Sequence, residues 1–240
     1  MEKTETYPMR INKYLAHRNI ATRREADELI KAGEVKINGK TAVLGDKVSE
    51  KDKVTVGKKI EDMKNLVYLA YNKPAGIITH SPQGQEKSIK DIFNFSESVF
   101  PVGRLDKDSC GLIILTTDGR ITDKLLNPDY NHEKEYVVTV DKSISPSFLE
   151  HMESPMVLGD GYRTKKAQVE KISNFSFSII LTEGKKRQIR RMCEKLLHHV
   201  MELKRVRIMN IKLGNLASGK FRKIEGAELA EFLQEIGIKN

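Results

Sequence analysis

The chain has 240 residues, 39% of them hydrophobic, and a formal net charge of +9. That length accommodates one large and one small domain with apolar cores, and the excess of positive charge points to a polyanionic partner. No run of about eighteen apolar residues offers a membrane span, the opening residues lack the apolar stretch of a secretory signal, and Cys110 and Cys193 are too few for a disulfide framework or a metal cluster. The expected location is the cytoplasm, with both cysteines reduced.

Residues 9–57 read as a compact basic module. Ile11, Tyr14 and Leu15 recur at helical spacing, and Thr22-Arg23-Arg24-Glu25 has the form of a capping box for a second helix, with Ala26, Leu29 and Ile30 on one face and a stop at Gly33. Val35 and Ile37 alternate with polar residues before Asn38-Gly39, a hairpin turn signal because both positions tolerate positive φ. Val43, Val48, Val54 and Val56 are expected in further short strands. Arg10, Lys13, Arg18, Arg23, Arg24, Lys36 and Lys40 crowd this module and are the candidate polyanion contacts. Arg23 and Arg24 open the second helix, where backbone N–H groups also face outward, so a phosphate would meet both. The charged stretch 58–65 is expected to be a linker, and 66–240 a larger domain.

In that domain Val67 to Tyr71 reads as a strand ended by Lys73-Pro74-Ala75-Gly76 and resumed at Ile77 and Ile78, with a short helix at Ile89, Ile92 and Phe93. Leu112 to Thr116 reads as a buried strand closed by Asp118-Gly119, and a short helix ends at Leu125 and Leu126. Lys134 to Val140 is β-branched, and Phe175, Phe177, Ile179 and Leu181 alternate as a half-buried strand. Ile189, Met192, Cys193, Leu196 and Leu197 form a helical stripe that leaves Arg187, Arg190 and Arg191 off the core, around the first turn. Cations there oppose the helix dipole by about 0.3–1 kcal/mol each, so a negative partner is expected. Ile211 to Leu213 reads as a strand, followed by a loop and a closing helix through Leu229, Phe232, Leu233 and Ile236.

The most informative segment is Gly103-Arg104-Leu105-Asp106-Lys107-Asp108-Ser109, a charged loop bracketed by glycines that runs straight into the apolar strand. It closely resembles the Gly-Arg-Leu-Asp signature of pseudouridine synthases, in the RsuA/RluF-like branch. Asn-Lys-Pro-Ala-Gly (72–76), Lys-Glu-Tyr (134–136) and Gln-Ile-Arg (188–190) resemble further words of that family. The front words Arg-Ile-Asn-Lys-Tyr-Leu, Thr-Arg-Arg-Glu-Ala-Asp and Gly-Glu-Val-Lys-Ile-Asn-Gly-Lys resemble the RNA-binding domain first known from small-subunit ribosomal protein S-four. The implied fold is α+β: a small α/β RNA-binding domain, then a synthase domain on a mixed, largely antiparallel sheet flanked by helices.

The resemblance implies a cofactor-free, metal-free isomerisation of uridine to pseudouridine in structured RNA. Asp106 would be the catalytic carboxylate, Tyr136 would contact the base, and Arg190 would pair with Asp106, a pairing that favours a charged carboxylate. Arg104 is assigned to fill the stack vacated by the extruded uridine, because guanidinium is planar and stacks on bases. Arg187 and Ile189 complete the expected substrate-binding set. Several words look closest to members acting on large-subunit ribosomal RNA, with tRNA or small-subunit ribosomal RNA as alternatives. The expected partner is thus RNA, the expected state a monomer, and no membrane is involved. Ser109, Thr117 and Arg187 depart from the residues usual at their positions. Two rivals stand beside this reading: a non-catalytic RNA-binding protein, for which Asp106 is dispensable, and a glycosidase using Asp106 and Asp108 as its carboxylate pair.

Overall fold

The computed structural model describes residues 7–18, 20–21, 23–57, 66–80, 82, 84–95 and 99–238. The chain divides into two compact units, Met1–Leu66 with Asp118–Arg120, and Val67–Thr117 with Ile121–Asn240. The linker segment 58–65 and the capping residue Thr22 lie outside the described residues.

In the front unit β1 (Met9–Arg10) leads into α1 (Ile11–His17), followed by α2 (Arg23–Lys31), β2 (Val35–Ile37), β3 (Lys40–Thr41), β4 (Lys47–Val48) and β5 (Val54–Val56). The strands pair as β1–β4 and as a separate sheet in the order β3-β2-β5. Ile11, Leu15, Ala26, Ile30, Val35 and Val48 form a core of their own, which places the apolar faces of both helices as their periodicity implies. Gly33 ends α2 in the left-handed region at φ 75°, and Asn38 and Gly39 turn the β2–β3 hairpin at φ 51° and 81°. Val43 is not in a strand. Its N–H is held by the Asp46 carboxylate at 2.9 Å in a Leu44-Gly45 turn, and the side chain is exposed. Local turn chemistry here overrides β propensity.

The second unit is built on nine strands among the described residues: β6 (Tyr68–Lys73), β7 (Phe100–Val102), β8 (Cys110–Thr116), β9 (Lys134–Val140), β10 (Gln168–Lys171), β11 (Ser176–Leu181), β12 (Val200–Ile208), β13 (Ile211–Lys212) and β14 (Phe221–Lys223). The order is β10-β11-β9-β12-β8-β6-β14, with β7 beside β8 and β13 beside β12. Only the β12–β8 pairing is parallel among these strand pairs, so the sheet is mixed and largely antiparallel, as expected. Its helices are α3 (Ile89–Ile92), α4 (Ile121–Leu126), α5 (Pro146–Glu153), α6 (Gln188–Lys195) and α7 (Gly226–Glu235). Phe148 and Met152 of α5 and Ile189, Met192 and Cys193 of α6 share one core cluster with Tyr136, Val138, Phe177, Ile179 and Leu203 of the sheet.

Three local expectations need correction. Ile77 and Ile78 do not resume β6; Ile78 makes only an isolated parallel bridge to Ser88, because the Pro74-Ala75-Gly76 turn redirects the chain. Phe175 precedes β11 and is exposed, so the alternation begins one step later at Phe177. Leu197 is exposed at φ 61°, beyond the last turn of α6, where the chain takes the left-handed conformation common after a helix end.

Candidate active site

The Gly103–Ser109 loop is the connection between two antiparallel strands, β7 and β8, whose register runs Phe100 to Thr116 and Val102 to Ile114. Its backbone is fastened from several sides. Thr79, itself buried, accepts from Leu105 N at 3.0 Å and donates to Leu105 O at 2.8 Å through one hydroxyl. Gly76 N donates to Lys107 O at 2.8 Å, and Ser109 N closes back on Asp106 O at 3.0 Å. Arg205, on β12, donates through Nε to Leu112 O at 2.7 Å and through Nη1 to Arg104 O at 3.5 Å, so one guanidinium touches the chain on both sides of Asp106. The consequence is alternation along the loop: Leu105 is buried, Arg104 is exposed, and Asp106 is half-buried. Among the described residues nothing forms an ion pair or hydrogen bond with the Asp106 carboxylate.

Lys73 and Arg205, buried beside this loop, rest on carbonyl oxygens, and the half-buried Lys134 on β9 does likewise. Lys73, at the end of β6, is fully buried, and its ammonium donates to Pro74 O at 2.8 Å, Ile77 O at 2.6 Å and Lys107 O at 3.5 Å. Burial pushes its pKa down to about 8, against the opposing pull of Cys110, Asp106 and Asp108. Lys134, at the start of β9, is bound to His132 O at 3.2 Å and is likewise brought to about 8 by burial, with Arg205 adding to the effect. Arg205 is only 4% exposed, and its Nη2 has no partner among the described residues. A buried cation on neutral acceptors is costly unless a negative charge lies near. The acids that act on Lys73 are those of the loop.

The sheet register sets these groups in a row. Ile179 lies opposite Tyr136, Tyr136 opposite Arg205, Arg205 opposite Gly111, and Gly111 opposite Lys73. Directly paired residues share a face of the sheet. Gly111 is required in the middle: at φ 102°, a Cβ there would lie 2.3 Å from Arg205 O. Tyr136 is buried against the same cluster as Leu105 and Ile189.

Arg190 is 7% exposed, not off the core as the stripe suggested. It donates through Nη1 to Val200 O at 3.1 Å and through Nη2 to Asp108 O at 3.2 Å and Ser109 Oγ at 3.5 Å. It therefore grips the loop's backbone, and no ion pair joins it to Asp106 among the described residues. The negative partners expected for the first turn of α6 are instead Asp108, 3.3 Å from Arg187, and Asp160, 2.7 Å from Arg191. Arg187 holds the position before α6 in the left-handed region, at φ 52°. Ile189 is a core residue. In the front unit Arg10, Arg18, Arg23, Arg24, Lys36 and Lys40 are exposed and Lys13 is half-buried.

Local sequence pattern marks neither Thr79 nor Arg205 as a site residue and places Lys73 in a turn. Lys73 carried a signal, since it sits in the Asn-Lys-Pro-Ala-Gly word. Arg205 carried a weaker one, an arginine two residues past Leu203 on the same face of a strand that holds three further charged residues.

A family model of RNA pseudouridylate synthases matches residues 67–195, and a model of the S4 domain matches residues 9–54. The chain is 44% identical over 231 residues to the dual-specificity RNA pseudouridine synthase RluF of Escherichia coli K12, covering 95% of this chain and 79% of that protein. It is 37% identical over 230 residues to the ribosomal large subunit pseudouridine synthase B of Bacillus subtilis, covering 92% and 93%. A crystal structure of a pseudouridylate synthase superimposes with a TM-score of 0.68 at 26% identity, over 95% of this chain and 99% of the other. With the signature loop, the mixed sheet and the front module in place, the chain belongs to the RNA pseudouridylate synthase family and is a pseudouridine synthase with an S4 domain.

Proposed function

We propose that this synthase isomerises a uridine in large-subunit ribosomal RNA, with Asp106 as the group that acts on the nucleoside. The observation that carries this is a half-buried carboxylate without a protein partner among the described residues, on a loop fixed by Thr79, Lys73, Arg190 and Arg205. A carboxylate committed to structure would be paired. The reaction breaks the N-glycosidic bond, turns the uracil, and joins its C5 to the same ribose carbon, so an anion beside C1′ and C2′ is what the protein must supply. Asp106 does so either by attack at C1′ or by assisting loss of the 2′ proton. Tyr136 lies beside the base, and Arg190 acts by holding the loop through Asp108 O. Arg104, exposed two residues before Asp106, fills the space the extruded uridine leaves. Residues 9–57 bring the RNA in through their exposed basic side chains, residues 66–240 do the chemistry, and 58–65 join the two. The protein works as a monomer in the cytoplasm.

The target follows from the relatives, one of which is named for the large ribosomal subunit. The experiment is to map pseudouridine in total RNA from cells with and without the gene, and from cells carrying Asp106→Asn. Loss of one or more sites in large-subunit ribosomal RNA in both altered strains is expected. Loss confined to tRNA would move the target, and an unaltered map in the Asp106→Asn strain would remove Asp106 from the chemistry.

A further inference from the structure

A second band of aromatic and basic side chains leads away from the catalytic loop within the same unit. After α4 the chain makes a tight turn at Pro128–Tyr130, capped by the Asn127 side-chain Oδ1 accepting from Asp129 N at 3.1 Å, and passes through Asn131 at φ 54°. The rings of Tyr130 and His132 stack with centroids 5.8 Å apart at 25°. Tyr130 remains 47% exposed, and the Lys124 ammonium stands 5.8 Å from its ring centre. Burial, with Lys134 nearby, pushes the His132 pKa below its ordinary value, which favours the neutral imidazole.

This turn is tied to the synthase site by a chain of contacts. Lys165 donates through Nζ to Pro128 O at 3.1 Å and to Asn131 Oδ1 at 2.7 Å, while its backbone N–H reaches the buried Glu183 carboxylate at 3.0 Å. The same carboxylate accepts from the Tyr162 hydroxyl and from Gln188 Nε2 at 2.6 Å. Gln188 opens α6, and Arg187 just before it reaches Asp108 of the catalytic loop. Lys185 covers the Tyr162 ring at 4.6 Å. Arg163, Lys165, Lys166, Lys185 and Lys186 of these segments are exposed. The acids beside them are largely engaged: Asp160 is paired with Arg191, Glu133 with Arg207 and Glu153 with Lys166, and Glu183 is buried within the network.

Tyr130 keeps nearly half of its surface open to solvent while its ring is stacked on His132. A fixed π face flanked by ammonium groups suits one ligand chemistry, a nucleobase with its phosphates. We propose that the Tyr130–His132 stack, with Lys124 and Lys165, is a second RNA contact on the synthase unit: Tyr130 stacks an unpaired base flanking the target uridine, and the lysines meet the adjoining phosphates. The proposal rests on RNA being the substrate of the Asp106 site. Stacking of this kind tolerates any base, so the contact selects for an unpaired flank and not for its sequence.

The test uses the full-length chain carrying Asp106→Asn, so that binding is read without turnover, and two RNA probes: a stem-loop, and the same stem-loop with a single-stranded flank. Tyr130→Ala is expected to weaken binding of the flanked probe by about 5- to 30-fold. Tyr130→Phe, which keeps the ring, should stay within about twofold, and the plain stem-loop should barely distinguish the variants. Lys124→Gln should lower the salt slope for the flanked probe by about 0.7. Equal affinity of Tyr130→Ala and Tyr130 proteins for the flanked probe overturns the proposal. So does a Tyr130→Phe protein as weak as Tyr130→Ala, which would assign the contact to the hydroxyl. Failure of the Asp106 assignment would show separately, as pseudouridine made by the Asp106→Asn protein, and would leave the binding comparison intact.

Discussion

At the scale of single residues, the candidate site sets Asp106, without a partner among the described residues, beside the buried cations Lys73 and Arg205, which rest on backbone carbonyls. Asp106→Asn preserves shape and removes charge, and among the described residues the carboxylate has no protein partner to forfeit. The rate of pseudouridine formation should fall by at least about a thousandfold, while stability changes by less than about 1 kcal/mol; single-turnover assays and thermal unfolding read the two. Lys73 sets an expectation for pH. Its pKa in the folded chain is lowered to about 8 from 10.5, so the folded protein loses this charge as pH rises through 8, while the unfolded chain keeps it to about 10.5. The unfolded state then binds more protons, and this residue's contribution to stability grows more favourable between those values. Activity should move the other way: the loop loses a cation and one of its N–H donors, and kcat should decline above pH 8. Lys134 titrates in the same range, so the control is Lys134→Met. A declining limb that persists in that variant belongs to Lys73, and one that disappears belongs to Lys134.

At the scale of elements, the candidate site depends on β12 and β8 approaching closely where Gly111 meets Arg205. Gly111→Ala would force a Cβ against Arg205 O in a backbone conformation that L residues rarely adopt. A loss of about 2–5 kcal/mol is expected, with Arg205 displaced from Arg104 O. Urea unfolding checks it, and a loss under about 1 kcal/mol would mean the sheet yields there. This junction also marks how far sequence reading reached. The loop was legible because its residue types are rare together, and β8 and β9 because apolar and β-branched residues recur in them at strand spacing. β12 was not legible: Glu202, Lys204, Arg205 and Arg207 interrupt Val-Met-Glu-Leu-Lys-Arg-Val-Arg-Ile, and charge reads as surface until ladder partners on both sides are known. β10 and β14, short and polar at the sheet's two ends, left no pattern to find, and the basic face of α6 concealed that Arg190 points inward. Those residues are explained by long-range pairing, which no local window contains.

At the scale of the whole molecule, two units have separate cores: one presents exposed basic residues on short elements, the other holds the buried cations beside the Asp106 loop. Exposed and buried charge serve different ends. Exposed Arg23, Arg24, Lys36 and Lys40 gain little from any protein partner, but in the proposed role each phosphate they neutralise would release a counterion and steepen the dependence of affinity on salt. Removing residues 1–60 should therefore weaken binding of structured RNA and flatten the plot of log affinity against log salt by about 0.7–0.9 for every phosphate no longer neutralised. The remaining chain keeps the cluster that contains Tyr136, Leu105 and Ile189, so it should fold and retain slow turnover, with the defect appearing mainly in KM. Binding measured across a range of salt concentrations, beside single-turnover rates at saturating RNA, separates the two units. If the truncated protein kept the original slope, the front unit would have to bind something other than RNA, and neutralising the phosphates would fall to the synthase unit alone.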